Sequence, residues 1–200
     1  NRKILAGIAE YIGHPDKIID VTIAIDKLLK IGVEGVNKEL IEKGVDQSAI
    51  EKLQPVFTLK GDANERIKTL DSMISDSEIG QKGISEVQTL INLVSAIDLK
   101  ANFELDLTLA RGLNYYTGAI IEVEALMQNK FGSICGGGRY DDLTGIFGLK
   151  EMSGVGISFG ADRIYDVMEA LELFPESVSP APKIMFVNFG GDTLHYIMPI

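Results

Sequence analysis

The 200-residue chain has a single cysteine, Cys135, so it cannot close an internal disulfide. That fits a reducing, cytosolic setting. It has no apolar run of membrane-spanning length, and no membrane role is expected. No secretory leader opens it, because Asn1-Arg2-Lys3 is not followed by a long apolar stretch. Bases are scarce beside acids: 19 Lys and Arg stand against 29 Asp and Glu, a net charge of −10. The shortfall is greatest in residues 101–200, which hold six bases and thirteen acids. A strong generic nucleic-acid binder needs clustered Lys and Arg to neutralise phosphates, so any RNA contact must come from a local patch or from segments absent here. There is no Gly-Lys-Ser/Thr, which excludes a Walker loop. His14 and His195 are far apart and lack metal-ligand spacing. No Ser-His-Asp pattern, internal repeat or low-complexity tract is legible. The chain also lacks an initiator Met, and Met198-Pro199-Ile200 follow what reads as an opening strand and turn. It is expected to be an internal piece of a longer protein.

What is present is ordinary for a soluble globular protein: 46% hydrophobic and 24% charged residues. The length allows one or two domains and a sizeable core. Residues 1–100 read as helical. Ile18, Ile19, Ile23, Ile25, Leu28 and Leu29 form an apolar segment for which Gly32 is a stop signal. Val36 to Lys43 is a short amphipathic helix closed by Gly44. Asp46 can cap the next helix, Ser48 with Glu51 has the spacing of a capping box, and Pro55 falls near that helix's end. Asn64 to Ile74 is another helix. Ile84, Val87, Leu90, Ile91 and Val94 recur at helical spacing and predict a helix over 84–96.

The period changes near residue 102. Phe103, Leu105, Leu107 and Leu109 alternate with Glu104, Asp106 and Thr108, which predicts a half-buried strand. Ala119, Ile121 and Val123 alternate with Glu122 and Glu124 and predict a second. Residues 131–135 and 154–159 read as short strands bounded by glycines. Ile164, Val167, Met168 and Leu171 occupy one face of a helix over about 161–173. Pro175, Pro180 and Pro182 mark a linker, and 184–189 reads as a buried strand opening a new domain.

The acidic half contains only three arginines, Arg111, Arg139 and Arg163, each close to glycine. Glycine permits close approach of a ligand to the backbone, and the arginine fork matches carboxylate or phosphate oxygens. Together they suggest an anion site; singly, pairing with a surface carboxylate is the commoner role. Arg111 shares parity with the apolar positions 103–109. Because a buried unpaired Arg is very costly, a partner, a bulge or a cleft is required there. Arg163 stands in the first turn of a helix, whose free N–H groups and dipole suit an anion. In Arg111-Gly112-Leu113-Asn114-Tyr115-Tyr116-Thr117-Gly118, too long for a tight hairpin, two tyrosines offer a flat wall plus hydroxyls. They could equally be one core and one surface residue. Gly136-Gly137-Gly138 either clears a patch of sheet for a flat ring or is a plain turn. Cys135 reads as a small core residue.

Three segments carry a resemblance. Arg-Gly-Leu-Asn-Tyr-Tyr-Thr-Gly at 111–118 resembles the histidine-specific loop of histidyl-tRNA synthetases. Gly-Gly-Gly-Arg-Tyr-Asp at 136–141 resembles their second histidine-specific segment. Gly-Val-Gly-Ile-Ser-Phe-Gly-Ala-Asp-Arg at 154–163 resembles motif 3 of class II synthetases. The three stand in the family's order, and the resemblance covers about 99–173. It implies an α+β fold: part of a class II antiparallel sheet with flanking helices, plus an all-helical insertion domain. The implied division is 1–12, a remnant of the catalytic domain; 13–98, the insertion, by position only; 99–173, catalytic core; 174–182, linker; and 183–200, the start of an anticodon-binding domain. The implied activity joins histidine and ATP, with Mg as its counter-ion, into histidyl-adenylate, releasing pyrophosphate. The histidyl group then passes to tRNA(His). Arg111 would be catalytic, lying against the α-phosphate and the histidine carboxylate. Tyr115, Tyr116 and Tyr140 would line the histidine pocket. Arg163, Gly160 and Gly137 would bind ATP. The resemblance also implies a cytoplasmic homodimer without prosthetic group. Asn114 departs from the Asp the family commonly has. Motifs 1 and 2 are not in this chain, so the piece alone is expected to be inactive. A synthetase-like regulatory protein is the alternative; such relatives usually lose the Arg and Tyr pair, which stand here.

Overall fold

The computed structural model describes residues 1–110, 115–126, 131–175, 184–191 and 195. Among them the chain is α+β, six helices followed by an antiparallel sheet with two further helices. α1 (Arg2–Tyr11) is capped by the Asn1 side chain, which accepts from the Lys3 N–H at 2.8 Å. A 3₁₀ turn, Pro15–Lys17, leads into α2 (Ile18–Asp26) and α3 (Leu28–Glu42). Gly32 interrupts the helix as expected: at φ 69° and ψ 175° it is non-helical and divides α3 into two helical pieces across a kink, a conformation open to glycine without a Cβ. Gly44, at φ 77°, closes the turn after α3 as expected.

α4 (Gln47–Phe57) is capped by Asp46, whose carboxylate accepts from Ala49 N–H at 3.1 Å. Ser48 is not the cap: its hydroxyl donates to Asp46 at 2.6 Å, so the Ser48–Glu51 box does not form. The box instead belongs to α5 (Ala63–Met73), where Asp62 and Glu65 bond each other's backbone reciprocally. α6 (Glu78–Ser95) begins six residues before the expected helix, because Ser77 caps it through Gly80 N–H.

Ile4, Leu5 and Ile8 of α1 share one apolar core with Val21, Ile25, Leu40, Ile50, Leu53, Leu70 and Ile84. Residues 1–12 thus pack with the helices of 13–98. The α1–α6 seam is made by glycines. A Cβ on Gly7 would come within 2.6 Å of Gly80 Cα, and one on Gly83 within 2.7 Å of Ile4 N. Only a missing side chain allows helix backbones this near.

Residues 103–109 form no strand. Leu105 and Leu107 do pack on the helical core, as their alternation suggests. No ladder holds the run among the described residues, however. Arg66 donates to the Leu105 carbonyl at 2.6 Å, and Asp106 accepts from Thr108 N–H at 2.7 Å, a local turn that competes with sheet pairing.

The sheet has the order β1 (Ile120–Glu124), β2 (Ser133–Tyr140), β3 (Gly154–Phe159), all antiparallel. β2 runs straight through Gly136-Gly137-Gly138, so these glycines lie within a strand, not in a turn, and the strand is longer than 131–135. A short helix α7 (Leu143–Ile146) joins β2 to β3, and α8 (Ala161–Ala170) follows. Residues 184–189 pair with no strand among the described residues, and Ile184, Met185 and Phe189 are exposed, contrary to the buried strand expected. An apolar run needs a ladder partner before it is a strand. Most of the linker at 174–182 lies outside the described residues.

Candidate histidine and phosphate site

Register decides what the sheet presents. Ile121 and Val123 of β1, Cys135 and Gly137 of β2, and Ile157 and Phe159 of β3 stand in cross-strand pairs and share one face. The other face carries Glu122, Gly136, Gly138, Tyr140, Gly154, Gly156 and Ser158. Four glycines there leave a bared strip. Two tyrosine rings lie over part of it. A Cβ on Gly138 would meet the Tyr116 ring at 2.9 Å, and one on Gly154 the Tyr140 ring at 2.3 Å. Gly136 stays open: a Cβ there would touch nothing closer than 3.7 Å.

The tyrosines form one cluster. Tyr115 and Tyr116 have ring centroids 4.7 Å apart, and Tyr115 lies 6.1 Å from Tyr140, both edge-on. Burial, then the hydrogen bond with Tyr115, raises the Tyr116 phenol above its ordinary value. The Tyr116 phenol thus keeps its proton, and a phenol hydroxyl both donates and accepts.

Beside Gly136 opens a cleft of about 430 Å³ lined by Glu122, Ser133, Ser158, Gly160, Asp162 and Arg163, among others. α8 begins at its edge. Gly160 is the N-cap and supplies no side chain to the first-turn N–H groups, which leaves them available to an anion. The Arg163 guanidinium is steadied by donating to the Ser133 carbonyl at 2.7 Å. Two carboxylates, Glu122 and Asp162, also line the cleft. They are of the oxygen-ligand class that Mg²⁺ takes when it accompanies phosphates. No group of three or more metal-binding side chains occurs among the described residues.

The structure thus brings Tyr115, Tyr116 and Tyr140 together and puts Gly160 and Arg163 on the neighbouring cleft. Gly137 goes elsewhere: it is on the Ile157 face, and Gly136 takes the cleft position. Arg111, Gly112 and Asn114 lie outside the described residues. Arg139 does not line this cleft, and its Nε donates to Asp141 at 3.0 Å. Glu122, Ser158 and Thr117 were not singled out from sequence. Alternation against Ile121 and Val123 is the signal that places Glu122 on the glycine face.

Residues 24–164 match the family model described as Histidyl-tRNA synthetase. The chain belongs to this family. It is 57% identical over all 200 residues to the histidine–tRNA ligase of Phocaeicola vulgatus, covering 44% of that protein. It is 52% identical to that of Porphyromonas gingivalis, with the same coverage. The histidyl-tRNA synthetase structure from Nostoc sp. PCC 7120 superimposes with a TM-score of 0.78 at 33% identity, over 88% of this chain and 42% of that one. The chain therefore spans less than half the length of the synthetases it matches, and its antiparallel sheet with flanking helices is the part of the class II fold it carries.

Proposed function

We propose that this chain carries the histidine-reading and distal phosphate-binding parts of a histidine–tRNA ligase. In that reaction a histidine carboxylate oxygen attacks the α-phosphorus of ATP, forming histidyl-adenylate and releasing pyrophosphate. A ribose hydroxyl at the end of tRNA(His) then attacks the histidyl carbonyl and displaces AMP. The observation that carries the reading is the tyrosine cluster beside a cleft that ends at Arg163 and the α8 N-terminus. A wall of tyrosine hydroxyls suits an imidazole, and a pocket built to bond both ring nitrogens rejects amino acids that leave its hydroxyls unpaired. Arg163 and the helix N-terminus suit the outer phosphates of ATP, with Mg²⁺ as their counter-ion. Arg111 is the residue we assign to the charge that develops at the reacting phosphate.

The domain reading goes with this proposal: 13–98 as helical insertion, 99–173 as catalytic core joined by 1–12, 174–182 as linker, and 183–200 as the start of an anticodon-binding unit. So does a cytoplasmic homodimer as the working form.

The test is histidine- and ATP-dependent pyrophosphate exchange by the full-length protein, beside Arg111→Ala and Gly136→Val. Arg111→Ala should lower the exchange rate about 100-fold or more while the protein stays folded. Gly136→Val, which pushes two methyls into the cleft, should raise the KM for ATP. A folded full-length protein with no exchange would overturn the reading in favour of a synthetase-like protein without catalysis.

A further inference from the structure

The tyrosines that would read histidine sit on a loop, and a loop recognises a ligand only as sharply as it is held. We propose that Thr117, Arg139 and Asp141 form a clamp that positions the Tyr115–Tyr116 loop, so that these three are positioning residues for histidine. This rests on the functional reading above.

Both oxygens of Asp141 are committed. Oδ2 accepts from the Thr117 hydroxyl at 2.7 Å and Oδ1 from Arg139 Nε at 3.0 Å. The backbone repeats the tie. Thr117 N–H donates to the Arg139 carbonyl at 3.0 Å, and Arg139 N–H donates to the Ala119 carbonyl at 2.9 Å. The aliphatic stem of Arg139 lies on Gly118, where a Cβ would come within 3.0 Å of its Cδ. From the other side, the first residue of α1 holds the loop: Arg2 N–H donates to the Gly118 carbonyl at 3.1 Å. None of the three side chains lines the neighbouring cleft of Glu122 and Arg163, and these residues bond one another and the loop backbone.

The clamp is backed by a second pair. Lys3 Nζ meets Glu86 of α6 at 2.5 Å, and Asn1 donates to the same carboxylate at 3.1 Å. The Lys3 charge acts on Asp141 and the Arg139 charge on Glu86. Charges of alternating sign thus run from the α1–α6 seam to β2. The Thr117 bond, and then Arg139, hold the Asp141 carboxyl below its ordinary range against the opposing effect of burial. An Arg–Asp pair two residues apart in sequence does little by itself when exposed. The Thr117 tie is different, because it joins residues 24 apart in sequence and closes the loop's exit onto β2.

Thr117→Val deletes the hydroxyl at nearly constant volume, and Thr117→Ser keeps it. In the full-length protein, Thr117→Val should raise the KM for histidine about tenfold and leave the KM for ATP within about twofold, the loss of one hydrogen bond to a charged group. Amide hydrogen exchange over 115–119, read by mass spectrometry, should speed up by a similar factor, and Thr117→Ser should restore both values. Unchanged amide exchange, an equal rise in both KM values, or no rescue by Ser would each overturn the clamp. A wild-type protein without histidine-dependent activity would overturn the functional reading instead, while the exchange data would still decide whether the loop is clamped. Should Thr117→Val fail to fold, Asp141→Asn, which keeps the shape and removes the charge that Thr117 and Arg139 bond, is read by the same measurements.

Discussion

Leu53 in α4 and Phe159 in β3 are both large apolar residues placed by regular periodicity, yet Leu53 is 0% exposed and Phe159 71%. The contrast runs through the molecule. Among the described residues, every buried hydrophobic side chain except Val167 lies between Ile4 and Ala110. On the sheet, Ile121, Val123, Val155 and Ile157 line up with Phe159 on one face, and all are exposed. Alternation tells which face of a sheet is apolar; it does not tell whether anything covers that face. The helical part holds its own core, whereas the sheet is fastened mainly by its ladders, by the tyrosine rings over its glycines and by the ties at Thr117 and Gly118.

Substitutions can break or sharpen this contrast in the 200-residue chain. Leu53→Ala should be the most damaging, destabilising by about 3 kcal/mol through lost transfer energy and a cavity, as measured by urea unfolding followed by circular dichroism. Gly7→Val should cost about 2 kcal/mol in the same measurement, because the added side chain meets the Gly80 backbone and α1 and α6 must separate. Phe159→Ser should change stability by no more than about 0.5 kcal/mol, as expected for an exposed site. A loss at Phe159 as large as that at Leu53 would erase the distinction, since it would mean the sheet face is covered in solution.

The helices were largely legible because their signals are local. Asp46 sits where a cap must sit, Gly44 where a helix must stop, and Ile84, Val87 and Ile91 on one stripe. The strands were less legible because a strand depends on a partner far away in sequence. Phe103 to Leu109 and Ile184 to Phe189 have strand composition but no ladder among the described residues, while the three glycines of β2, poor strand formers, are held extended between two neighbours. The site shows the same divide. Tyr115, Tyr116, Tyr140, Gly160 and Arg163 could be named from motifs. That Gly136 and not Gly137 faces the cleft depends on register, which no local pattern reveals. Arg139 was in principle readable. Asp141 stands two residues on, just past the end of β2, within reach of the Arg139 side chain.

Gly136 carries a consequence of its own. Each glycine of β2 surrenders more chain entropy on ordering than an alanine would, at roughly 0.5–1 kcal/mol per position. At Gly137 and Gly138 an added methyl would meet backbone or a tyrosine ring, so those positions have no alternative. At Gly136 the methyl would fit, with its nearest neighbours 3.7 and 3.8 Å away, and it would occupy the cleft. At that one carbon, what makes the strand sturdier and what leaves room for a ligand pull in opposite directions. A chain selected only for stability would drift away from glycine there, and a chain selected to bind would keep it.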